Sequence, residues 1–223
     1  DHLPASLCCP PGSMQNFLSS FSQSCDILKV TEKIRFSYGR HIAEVNSLQI
    51  WEHWKTVHRH RALVRKYCFR LGLYWQGLTH DLSKYSPVEF WAGAKYFQGD
   101  HSPNDAQRKA EGYSASWMHH KGRNRHHFEF WTDYSLDGSG IIGVEMPKKY
   151  VAEMFCDRLA ASKVYRGDAF SPGDPYQFFL RGKGRRLLLH PATEALLETL
   201  LQKLQDDGED AAFDYIRKEM LGK

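Results

Sequence analysis

The sequence contains no CxxC pair, and its five cysteines, Cys8, Cys9, Cys25, Cys68 and Cys156, are odd in number. Neither a zinc knuckle nor a disulfide framework is suggested, and a reducing, cytoplasmic setting fits best. Long hydrophobic runs are also missing. The densest, such as LLLH at 187–190, fall far short of the roughly 18 apolar residues of a spanning helix, so no membrane association is expected. No internal repeat is visible. Charge of one sign is scarce too: 30 basic against 26 acidic side chains leave +4, a surplus diluted over the whole surface that argues only weakly for anionic ligands. Nucleic acid is not expected as a partner, because histidines that are mostly neutral at pH 7 are poor phosphate neutralisers.

What is present is the composition of a folded globule. With 42% hydrophobic and 25% charged residues, collagen-like and wholly disordered chains are excluded. The 223 residues fit one domain with tails. Residues 1–35 read as a poorly ordered N-terminal tail, Pro-rich over 1–13; its Ser-rich, nearly acid-free stretch 14–30 is similar in composition to a transit peptide but contains no arginine and lacks the apolar core of a signal peptide. Residues 40–205 read as the helical domain, and 206–223 as a C-terminal helix packed on it.

The periodicity predicts an all-α fold, a helical bundle. In WEHWKTVHRHRALVRKYCFRLGL (51–73), Trp54, Val57, Val64, Tyr67 and Leu71 recur at helical spacing, with His53 and His60 on the same stripe and Gly72 placed to end the helix. A second element is expected over 74–85. Ser86-Pro87-Val88-Glu89 has the signature of a third helix, with Ser86 as N-cap, Pro87 first in the helix and Glu89 as capping-box partner. Residues 99–113 read as a loop, followed by a short helix near 115–121. IIGVEM (141–146) is expected to be one short strand or an extended lead into a helix over 147–165. A short helical segment near 175–181 and helices at 191–205 and 209–221 complete the chain.

Histidine is the conspicuous surplus: 12 residues, nine of them between His53 and His127. Imidazole is the commonest metal ligand and acid/base group, so such clustering calls for a site. In LTHDLSKYSPVEF, adjacent His80 and Asp81 would stand about 100° apart on a helix and converge on a cation between them. Lys84, three residues on, could hold an anion there. A plain Asp81–Lys84 surface pair is the alternative. In WMHHKGRNRHHFEFW, His119, His120, His126 and His127 lie among Arg123, Asn124 and Arg125 without zinc-finger spacing. Asp157 sits in the apolar stripe of Tyr150, Met154, Ala161 and Val164, where a carboxylate must be paired or metal-bound.

The order His60, His80-Asp81, histidine cluster, Asp157 resembles the HD-domain superfamily of metal-dependent phosphohydrolases, whose ligands run His, His-Asp, Asp on a helical scaffold. THDLSK is similar to the HDxGK element of the HD-GYP phosphodiesterases and HD-type diiron oxygenases, with Ser83 replacing Gly. The blocks LTHDLSKYSPVEF, WMHHKGRNRHHFEFW and EMPKKYVAEMFCDRLAASKVY resemble more closely an uncharacterised bacterial and phage family, carrying LxHDxSK and HHxxxNxHH motifs over roughly residues 50–200.

The resemblance implies one or two divalent transition-metal ions (Mn, Fe, Co, Ni or Zn). Their ligands would be His60, His80, Asp81 and Asp157, with Asp81 bridging to a second ion held by one histidine of 119/120 and one of 126/127. His53 or His58 could stand in for His60. Lys84 and Asp81 would be catalytic, and Lys84, Arg123, Asn124 and Arg125 would bind a small phosphorylated, nucleotide-like substrate. The expected activity is phosphohydrolysis by a metal-activated water; a diiron oxygenase and a non-catalytic metal-binding protein are the alternatives. No GYP motif follows the histidines, so cyclic-dinucleotide hydrolysis is not implied.

Overall fold

A computed structural model describes residues 45–184 and 188–223. The expectations for residues 1–35, and the first residues of the expected domain, lie outside the described residues. The rest is all-α: helices α1 (Ser47–Arg70), α2 (Tyr74–Thr79), α3 (Pro87–Lys95), α4 (Pro103–Glu111), α5 (Ala115–Lys121), α6 (Lys148–Arg166), α7 (Asp174–Arg181) and α8 (Pro191–Tyr215), with a π-helical turn over Ile216–Met220. The strands are β1 (Thr132–Tyr134) and β2 (Ile141–Gly143), an antiparallel pair with Asp133 opposite Ile142. The extended reading of 141–146 thus acquires a partner strand that the sequence reading did not include. Among the described residues, no helix is long and apolar enough to cross a membrane.

Helix α1 starts at a reciprocal capping box, in which Asn46 accepts from the Leu48 amide and Gln49 returns a bond to the Asn46 amide. It ends as Gly72 enters the left-handed region at φ 68°. The buried side of α1, with Val57, Val64, Tyr67 and Cys68, packs on α6, which buries Val151, Phe155, Cys156 and Leu159. Leu197, Leu200, Leu201 and Leu204 of α8 close the same core, which continues through Ala212, Phe213, Ile216 and Met220. The C-terminal segment therefore belongs to the one core. The two helices expected at 191–205 and 209–221 join across Gly208, whose φ of 85° and ψ of 178° break the helix at a position where an L side chain is strained. Cys68 and Cys156 are free thiols buried in the core.

Three expectations are corrected. The 74–85 element is two pieces: α2 stops at His80, and a 3-10 turn runs over Leu82–Tyr85. Residues 99–113 contain α4, initiated by the Ser102 hydroxyl on the Asn104 amide and terminated by Gly112 at φ 81°. At α3, Pro87 opens the helix as expected, but the Ser86 side chain makes no capping bond. Glu89 is turned inward to histidines.

Candidate metal centre

Four elements bring the site together. His60 stands on the buried stripe of α1. Its neighbour Arg61 reaches across to donate to the carbonyl oxygens of His80 (2.8 Å) and Leu78 (3.3 Å), groups left open where α2 ends. That contact fixes the end of α2. His80 leaves helical geometry at ψ 126°, and Asp81 is left-handed, at φ 53° the one non-glycine with positive φ among the described residues. The left-handed conformation costs an L residue roughly 1–2 kcal/mol, Asp tolerating it better than most, and such strain concentrates at functional sites. It is this reversal, and not a 100° step on a helix, that makes His80 and Asp81 converge. The Lys84 amide bonds back to the Asp81 carbonyl at 3.1 Å, which places Lys84 over the same carboxylate.

The two oxygens of Asp81 serve two donor groups. Oδ2 lies 3.7 Å from His60 Nε2 and 3.6 Å from His80 Nε2. Asp157 Oδ1, from α6, is 3.0 Å from His60 Nε2 and 3.4 Å from His80 Nε2. On the other side, Oδ1 of Asp81 is 3.2 Å from His120 Nε2 and 3.5 Å from His126 Nε2, while His127 Nε2 lies 2.9 Å from that of His120. Two clusters thus meet at Asp81: His60, His80, Asp81, Asp157 and Asp81, His120, His126, His127; a third, smaller group of His80, His126 and Glu153 lies behind them on the Nδ1 side of the two rings. Donors bound to one ion at about 2.0–2.2 Å stand roughly 3 to 3.5 Å apart, and the contacts here run from 2.9 to 3.7 Å. The buried His/Asp/Glu groups could bind a metal ion.

The hydrogen-bond arrangement around these clusters tests the fit. A carboxylate only accepts, so Nδ1 of His120 must donate to Glu89 Oε2 (2.7 Å), and Nδ1 of His80 and of His126 must donate to Glu153 Oε1 (3.0 and 3.2 Å). In the neutral rings Nε2 is then a lone pair, and all three lone pairs face carboxylate oxygens. Either a proton or a cation has to separate these acceptors. Asp81 Oδ1 and His126 Nε2 are indeed buried without a hydrogen-bond partner, a cost that a shared cation removes. The electrostatics agree. Burial opposes charge on His80, but Asp81, Asp157 and Glu153 outweigh it and hold the imidazole well above its ordinary pKa. Burial likewise pushes Asp81 and Asp157 upward, yet the surrounding histidines, with Lys84 beside Asp81, keep both carboxyls well below the usual range. The site attracts positive charge.

The remaining sequence candidates are sorted by position. His119 is drawn away by Glu89, with Nδ1 at 2.6 Å from Oε1, and belongs to neither cluster. Both His126 and His127 are at the site, where one of the two was expected. His58 is exposed and stacks on Trp54, and His53 packs beside Phe90 and Phe97, so neither replaces His60. Of the expected phosphate grips, Lys84 Nζ stands 3.6 Å from Asp81 Oδ2. It lines a cavity of about 180 Å³ together with His60, Asp157, His127, Trp117 and Tyr165. Arg123 and Arg125 do not line that cavity: one donates to the His119 carbonyl, the other to the Tyr150 hydroxyl, and both are exposed. Asn124 is buried and committed to the His120 carbonyl and the Ser83 hydroxyl, so it shapes the histidine loop and cannot grip a substrate.

Glu89 and Glu153 are the site residues that the sequence reading missed. Glu153 precedes Asp157 by four residues, one helical turn on the same face, which is the one signal that could have found it. Glu89 matched a capping box and was absorbed by that simpler explanation.

The sequence model of DUF5662, described as a family of unknown function, matches residues 49–203, which span both clusters. No curated protein matches the chain. No solved structure matches it.

Proposed function

Since the chain belongs to DUF5662, which brings no activity with it, we propose from the site itself that the protein is a metal-dependent phosphohydrolase acting on a nucleotide or similar phosphate ester. The HD-domain likeness of the ligand order supports the same reading. The observation that carries it is the sharing of Asp81: its two oxygens face separate imidazole pairs, and Lys84 stands over the same carboxylate at the wall of an accessible cavity.

His60, His80, Asp81 and Asp157 would hold one ion, and Asp81, His120, His126 and His127 a second. Divalent metal bound there supplies a water acidic enough to be a nucleophile at neutral pH and neutralises charge developing on phosphate oxygens. Lys84 holds a phosphate oxygen: burial works against its charge, but Asp81 overrides this and keeps the amine protonated above its ordinary range. A lysine retained beside a cation-attracting cluster makes physical sense when an anion is bound between them. Val57, Phe97, Trp117 and Val164 line the same cavity and shield the bound ester from solvent. Its volume lies below the roughly 300–1,000 Å³ of pockets for drug-sized ligands, which favours a compact substrate.

The experiment is phosphate release from a nucleotide panel and from p-nitrophenyl phosphate, with protein loaded with Mn, Co or Ni. Release that chelator abolishes is the expected result. Fully loaded protein that releases no phosphate overturns the reading, and oxygen consumption by the iron-loaded protein in its place would assign the site to an oxygenase.

A further inference from the structure

Glu153 is buried on α6, does not line the cavity, and forms a third potential ligand group with His80 and His126, but there its carboxylate receives the Nδ1 protons of both rings, so it stands behind the ligands and not among them. Its Oε1 lies 3.0 Å from Nδ1 of His80 and 3.2 Å from Nδ1 of His126. His80 belongs to the cluster with His60 and Asp157, and His126 to the cluster with His120 and His127. One oxygen thus reaches the rear nitrogen of a histidine from each half of the site, while Asp81 bridges the front. Glu89 differs. Its two oxygens contact His119 and His120, and of these only His120 is in a cluster.

We propose that Glu153 is a shared positioning residue that sets the tautomer and ring orientation of both His80 and His126, and so governs metal affinity in both halves of the site, whereas Glu89 governs one half alone. The physical ground is that an imidazole whose Nδ1–H donates to a carboxylate presents Nε2 as a more basic lone pair in a fixed direction. Because a single oxygen receives both donors, the two rings cannot be re-aimed independently. A 36° tilt and a 4.3 Å separation between the His80 and His126 ring centroids bring the two Nδ1 atoms to that one acceptor. The helix places it there: Glu153 and Asp157 are one turn apart on α6, so the same face supplies a direct ligand and the support behind the ligands.

This inference rests on the metal-binding part of the function proposed above and not on the hydrolysis, so a protein that binds metal but cleaves no phosphate ester leaves it intact. The test is Zn titration of wild type, Glu153→Gln and Glu89→Gln by calorimetry, with stoichiometry from elemental analysis. Outer partners of metal-binding histidines are typically worth 10- to 100-fold in affinity. The expected result is two binding steps in wild type, both weakened by about that factor in Glu153→Gln and only one weakened in Glu89→Gln. Loss confined to one step in Glu153→Gln, or unchanged affinity in a folded variant, overturns the proposal; so does wild type that binds a single ion or none, and the last result would remove the metal-binding reading as well. Should Glu153→Gln fail to fold, imidazole nitrogen NMR of Zn-loaded wild type decides. Both His80 and His126 must carry the proton on Nδ1, and an Nε2–H tautomer on either one contradicts the proposal.

Discussion

Lys84 Nζ lies 3.6 Å from Oδ2 of Asp81, the same oxygen that faces His60 and His80. An ammonium on a carboxylate that two imidazole nitrogens also face is placed to hold a substrate anion beside the metal ligands. Replacing Lys84 with Ala is expected to leave metal content unchanged and to lower phosphate release per bound metal by about 10²- to 10³-fold, the usual effect of removing one preorganised electrostatic contact. Metal analysis and a turnover assay on the same preparation check this. If the lysine merely pairs with Asp81, metal affinity or stability changes and turnover per bound metal does not.

Gly93 of α3 has no room for a methyl group, because a Cβ there would sit on the edge of the His53 ring. The ring cannot retreat, being packed beside Phe90 and Phe97. Gly93→Ala should lower stability by roughly 1–3 kcal/mol, as overpacking does, read from the urea midpoint. An unchanged midpoint would show that α3 can move away from α1.

His53 itself makes stability depend on pH. Burial first, and the Lys84 charge second, lower its pKa to about 4 from the ordinary imidazole value of 6.5. Between these values the unfolded chain binds a proton that the folded protein refuses. Stability is therefore full above about pH 6.5 and falls as pH drops towards about 4, by about 3 kcal/mol for this group at 1.36 kcal/mol per unit. Urea unfolding at pH 7 and pH 5 should show a larger acid loss in wild type than in His53→Gln. Equal losses would mean that the ring is protonated in the folded state.

Much of this was legible in the sequence, and the gaps have physical reasons. His60 and Asp157 stood out as polar residues on apolar helical stripes, and the structure brings their side chains to 3.0 Å. The helices around the core followed from periodicity, and Gly208 parted the last two as its backbone requires. The left-handed turn at Asp81 could not be read, because no residue pattern announces a strained conformation that tertiary contacts such as Arg61 on the His80 carbonyl enforce. Helix α4 was hidden by loop-like composition, although Ser102-Pro103 is a proper helix start. Glu89 and Glu153 escaped since glutamate in a helix is ordinary until its burial is known.

The most direct test of the centre is metal content, measured by elemental analysis after purification without chelator and after re-loading with Mn, Fe, Co, Ni or Zn. Wild type should retain transition metal, and Asp81→Ala, which removes the carboxylate common to both clusters, should be folded and empty. A folded Asp81→Ala protein with wild-type metal content would contradict the assignment of this site.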